Sequence, residues 1–176
     1  MKDSLLAIKD FNKKWSADPY TPDYIGNHIA FTIHRFNNIM HEIPRSTDGE
    51  FINDTILIIS ESCIDSVRRL EDVLNGAKRP PSFSNIIRNL KDYCKRCEPE
   101  SYETYVANRL RYIFHRIDDV CKLLVELNDY HAPYKREACI ILIDACNDAI
   151  GLLEDMKNKK IVGWLYNPEI GYYTDR

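Results

Sequence analysis

Apolar residues recur at three- and four-residue spacing over long stretches of this sequence, and no stretch alternates for long enough to make a strand. That period is one face of a helix turning about 3.6 residues at a time, so several amphipathic rods must bury their stripes against one another. The longest stripe runs through Tyr102, Val106, Leu110, Ile113, Ile117, Val120, Leu124 and Leu127, on a helix expected from Pro99 to about His131.

Proline and glycine punctuation divides the chain into six such segments. Helix 1 covers "DSLLAIKDFNKKWSA", with Leu5, Ile8, Phe11 and Trp15 inward, and stops before Pro19. Helix 2 starts at Thr21-Pro22, a cap followed by a residue that needs no amide partner, and carries Ile25, Ile29, Ile33, Phe36, Met40 and Ile43 up to Pro44. Helix 3 opens with a capping box of Thr47 and Glu50 and closes at Gly76, a position suited to a left-handed cap; Ile52, Ile56, Ile59, Cys63, Val67, Leu70 and Leu74 form its stripe. Helix 4, "SFSNIIRNLKDYCKRC", sets Ile86, Leu90, Tyr93 and Cys97 against Arg88, Lys91 and Lys95 on the other side. Helix 6, from Pro133 to about Lys159, repeats the spacing in Cys139, Leu142, Cys146, Ala149, Leu153 and Met156.

Helices 3, 5 and 6 have similar lengths and helix 2 is somewhat shorter. The expected fold is therefore all-α, an elongated antiparallel four-helix core of helices 2, 3, 5 and 6 with helices 1 and 4 added, all within one domain of 176 residues. Residues 160–176 depart from the pattern: Trp164, Tyr166, Tyr172 and Tyr173 surround glycines and a proline, giving a non-helical aromatic tail that either packs back on the bundle or engages a partner.

Composition narrows the function. A net charge of -3 argues against a general polyanion binder while leaving room for a local basic patch. No apolar run approaches a membrane span, and "MKDSLLAIKDF" is too charged for a signal peptide, so an intracellular, cytoplasmic setting without membrane contact is expected. Its six cysteines fall mostly at apolar helical positions, where a reduced thiol acts as a small hydrophobe; "CKRC" has no second ligand pair, so no metal centre is expected. Few glycines, no phosphate loop and no nucleophile elbow leave no cofactor site in view.

Two segments share one spacing. Arg35 precedes His41 by six residues in "RFNNIMH", and Arg109 precedes His115 by six in "RLRYIFH". Helical wheels place Asn27, His34, Asn38 and His41 on the outer side of helix 2, and Arg111, His115 and Asp118 on the outer side of helix 5, with Arg109 at the margin of its stripe. An arginine, histidine and aspartate in such a row can bind phosphate and orient an imidazole as a base. Both segments resemble the R-x(4-6)-H motif of the HEPN superfamily, all-helical domains in which the motif arginine and histidine cleave RNA without metal, commonly across a dimer interface. That resemblance implies catalytic roles for Arg109 or Arg111 with His115, and then for Arg35 with His41. Here Phe36 and Leu110 follow the arginines, where the family commonly has a polar residue.

A second string, "ESYE" followed by "ELND", resembles the ExxE…ExxD carboxylates of MazG-type pyrophosphohydrolases, but an unbroken helix would hold the two halves about 35 Å apart. The basic run from Lys78 to Cys97, together with Arg111 and His115, forms a candidate surface of Arg88, Lys91 and Lys95 for phosphate or an acidic partner. The leading expectation is a non-catalytic accessory or adaptor protein. It would bind a protein partner, self-associate through a polar or aromatic face that includes His34, Asn38, Trp164 and Tyr166, and take RNA through a local basic patch; a HEPN-like ribonuclease is the alternative.

Overall fold

A computed structural model describes residues 1–17 and 23–158, together with two short strands at 165–167 and 172–174. The helices are α1 (Lys2–Trp15), α2 (Asp23–Glu42), α3 (Gly49–Leu74), α4 (Ser84–Arg96), α5 (Tyr102–Glu126) and α6 (Ala132–Lys157). Single 3-10 turns follow α2 at Ile43–Arg45 and precede α6 at Asp129–His131. In the tail, β1 (Leu165–Asn167) pairs antiparallel with β2 (Tyr172–Thr174), Tyr166 opposite Tyr173. The described residues of the aromatic tail are thus non-helical, as expected, though their strand pairing was not legible; Trp164 lies outside the described residues.

The expected stripes supply much of the core, with Leu5, Trp15, Ile52, Val67, Leu74 and Met156 only partly buried at its edge. Every stripe residue of α2 from Ile25 to Ile43 is buried, as are Val106, Leu110, Ile113, Ile117, Val120 and Leu124 of α5. One apolar cluster takes residues from all six helices. The 3-10 turn after α2 contains Pro44, which has no amide to donate to the preceding turn. Thr21 and Pro22, expected to open α2, lie outside the described residues. At α3 the cap is Asp48 rather than Thr47: its Oδ1 accepts from the Glu50 and Phe51 amides at 3.0 and 3.1 Å. Gly76 closes that helix at φ 83, with Ala77 N donating to Asp72 O at 3.0 Å and Gly76 N to Val73 O at 3.1 Å. This is the left-handed closure that glycine adopts without steric cost. α5 ends at Glu126, five residues short of the expected rod, because Leu127 is extended (ψ 139).

α2 packs on α5 and α6, and α3 packs on the same two helices, so the pairs consecutive along the core occupy opposite corners. Tyr102 at the start of α5 donates to the Glu42 carbonyl at the end of α2, at 2.5 Å, which makes α2 and α5 antiparallel. Ser46, just before α3, donates to Glu103 near the start of α5 at 3.0 Å, so α3 runs alongside α5 in the same direction. α4 makes that possible. It carries the chain back along α3 and α5 and ends beside the start of α3, where Arg96 pairs with Asp54 at 3.3 Å and the Tyr93 hydroxyl meets Thr55 Oγ1 in the core.

α1 closes the other side. Phe11 and Trp15 pack on Tyr134 with ring centroids 4.8 and 5.4 Å apart, Trp15 Nε1 donates to Glu137 at 3.0 Å, and Ser4 donates to Asp148 at 2.6 Å. α1 therefore runs antiparallel to α6 and lies against both α6 and α2.

Candidate binding groove

On α2, Tyr24, His28, Phe31 and Arg35 follow one another at four-, three- and four-residue steps along the margin of the buried isoleucine stripe. On α5, Tyr105, Arg109, Tyr112 and Arg116 do the same beside its own stripe. Rows at this spacing climb a helix on one side. Because the two helices are antiparallel, the rows meet along the outer seam and interleave.

The Arg35 guanidinium lies 4.8 Å from the Phe31 ring centroid and that of Arg109 lies 4.5 Å from Tyr105. Arg116 approaches Tyr112 at 4.9 Å and Phe31 at 5.6 Å, and donates Nε–H to the Tyr112 hydroxyl at 2.8 Å. Phe31 and Tyr112 meet edge to face at 6.3 Å. Between them runs an open groove of about 410 Å³ lined by Phe31, Arg35, Tyr105, Asn108, Arg109 and Tyr112. Its rings stay wet: Phe31 is 38% exposed, Tyr112 44% and Tyr105 46%.

At one end Arg116 also donates to Nδ1 of His28, whose ring packs on Tyr24. Only a neutral imidazole can accept that bond. Partial burial, then the Arg116 charge, hold the His28 pKa below its ordinary value, with Asp119 pulling weakly the other way. Among the described residues no carboxylate lies within ion-pairing distance of Arg35, Arg109 or Arg116, although six other side-chain cations are so paired. The groove is a cationic, aromatic strip on a chain of net negative charge.

The residues picked from sequence scatter. Arg35 and Arg109 line this groove. His41, expected on the outside, is buried; burial first, then Arg45 and the terminal amine, lower its pKa to about 4. His115 is exposed, and among the described residues it has no hydrogen-bond or ion-pair partner. Asp118, expected outward beside it, is buried and takes Lys122 at 2.5 Å instead. The wheel failed at these two positions because it gave each helix one buried side, while α1 adds a second to α2 and α4 adds a second to α5.

Arg111 turns toward α4, close enough to pull on the Cys94 thiol, which burial pushes up. Arg88, Lys91 and Lys95 form an exposed stripe on α4, but Lys95 pairs with Asp92 at 3.5 Å and Arg88 donates to Asn85 at 3.2 Å. His34 and Asn38 are exposed on α2 as expected. Tyr166 sits in β1, and nothing further is described of its surroundings.

Sequence reasoning missed Phe31, Tyr105, Tyr112 and Arg116. A signal existed: an aromatic or arginine at each step of both marginal rows, where a solvated edge would carry lysine and glutamate.

No group of three or more His, Cys, Asp or Glu side chains among the described residues is placed to hold a metal, and the carboxylates of the ExxE…ExxD string stand at the two ends of unbroken α5. All six cysteines are free, four of them buried. None of the described helices is long and apolar enough to cross a membrane. No protein-family model, curated protein or solved structure matches the chain.

Proposed function

We propose that this chain is a non-catalytic helical-bundle accessory protein that works by holding a partner along the seam of α2 and α5. The observation that carries the reading is the row of guanidiniums held over exposed rings with no carboxylate in pairing range among the described residues. Tyrosine, phenylalanine and arginine dominate binding surfaces because they offer large rigid contact area and bidentate hydrogen bonding, whereas lysine and glutamate are depleted there. Six free thiols suit a reducing cytoplasmic setting.

The ribonuclease alternative asks for an imidazole beside each motif arginine. His41 is buried and, among the described residues, His115 has no group to orient it, so the geometry supports binding over cleavage. The test is incubation of the purified protein with mixed RNA in EDTA, alongside His115→Ala and His41→Ala. Intact RNA throughout is expected, together with a mass by sedimentation that rises with concentration and falls back for Arg109→Glu; cleavage abolished by either histidine substitution would overturn the reading.

A further inference from the structure

We infer that the seam binds a single-stranded polynucleotide, its phosphates on Arg35, Arg109 and Arg116 and its bases against the rings between them. The inference rests on the seam being the working surface, and four physical features select this occupant.

The first is charge. The strip carries three cations with no carboxylate in pairing range among the described residues, on a molecule whose overall charge is -3. It attracts an anion locally while the rest of the surface gives no general polyanion affinity. The second is the pose of the cations. A guanidinium lying on a ring has one face occupied; among the described residues Arg35 and Arg109 give no hydrogen bond from their N–H edges, the edges that grip a phosphate bidentately, whereas Arg116 already donates to Tyr112 and His28 and contributes mainly its charge.

Spacing is the third. Arg109 and Arg116 are two helical turns apart, about 10 Å along α5, with Tyr112 between them and Phe31 of α2 against it. Cation, ring, cation along one line matches a chain in which phosphates and flat bases alternate. An acidic peptide would satisfy the arginines but leave the half-exposed rings without a matching surface. The last feature is shape. The groove lies open along the seam of two packed helices, so a strand can lie along it, while a duplex keeps its base faces stacked out of reach of the rings.

Fluorescence anisotropy on the full chain tests this with labelled oligouridine and oligothymidine of about 20 nucleotides, an RNA duplex of matched length, and poly-glutamate, from roughly 50 to 200 mM salt. Both single strands are expected to bind more tightly than the duplex. Three phosphate contacts predict log K falling against log salt with a slope of about -2, reduced by about 0.7 in Arg109→Ala and again in Arg116→Ala. Tyr105→Leu, an exposed position, should weaken binding roughly tenfold with little change in slope. Equal affinity for duplex, or a slope indifferent to both arginines, would overturn the inference. Poly-glutamate bound in place of the strands would sink the polynucleotide and leave the seam standing as the binding surface. No binding by any probe, with self-association unchanged in Arg109→Glu, would remove both.

Discussion

Arg35 and Arg109, the arginines of two segments with the same six-residue step to a histidine, line one groove, while their histidines part company. Six residues turn a helix by about 600°, leaving the histidine about 120° around from its arginine. From the seam side of α2 that rotation carries His41 into the core; from the seam side of α5 it carries His115 into solvent. A shared spacing therefore yields two different environments, because α2 and α5 have different neighbours on that flank.

Burying His41 has a consequence for acid stability. Its folded-state pKa is lowered to about 4 from an ordinary value of 6.5, so below pH 6.5 the unfolded chain takes up a proton that the folded chain refuses. Stability from this group is complete above pH 6.5 and is lost as pH falls toward 4. Between pH 7 and 5 the loss is about 2 kcal/mol. Urea unfolding of the wild type and of His41→Gln should show a shallower pH dependence in the variant; equal slopes would mean the imidazole is not buried as described.

The Thr55–Tyr93 hydrogen bond fastens the crossover helix to α3 inside the core. Thr55→Val keeps the shape but leaves the Tyr93 hydroxyl with only a 3.5 Å approach to the Phe51 carbonyl, so it should cost about 1–3 kcal/mol. Adding Tyr93→Phe removes the stranded hydroxyl and should recover part of that loss, a coupling that a double-mutant cycle in denaturant reads directly.

Thiol accessibility tests the packing of α3 against α6. Burial pushes the Cys63 and Cys121 thiols well up and Cys139 up to about 12; Cys94 on α4 and Cys97 just past its end are also raised, but both are only partly buried. Two of the six thiols should react with a disulfide reagent in native buffer and the rest only on unfolding. Fast reaction at Cys63 or Cys146 would contradict the packing.

Much of the fold was legible because burial writes a period into the chain. Ile25 to Ile43 on α2 and Val106 to Leu124 on α5 went where their spacing put them. Which helix lies beside which was not legible: nothing in the α4 residues announces that it returns the chain so that α5 runs along α3. The site suffered for the same reason. His41 and Asp118 were placed outside by a wheel that knew one neighbour per helix, and the aromatic rows of Phe31 and Tyr112 carried no evident meaning until an antiparallel partner made them a groove. The Asp48 cap was misread by one residue because Thr47 and Asp48 both offer an acceptor oxygen.

The most direct measurement is an amide chemical-shift map of the 15N-labelled chain titrated with single-stranded oligouridine in low salt. The structure predicts shifts confined to residues 24–35 of α2 and 105–116 of α5, with the Arg88, Lys91 and Lys95 stripe of α4 silent. Shifts centred on residues 84–96, or a spectrum unmoved at saturating oligonucleotide, would contradict the claim that the α2–α5 seam is where this protein meets a polynucleotide.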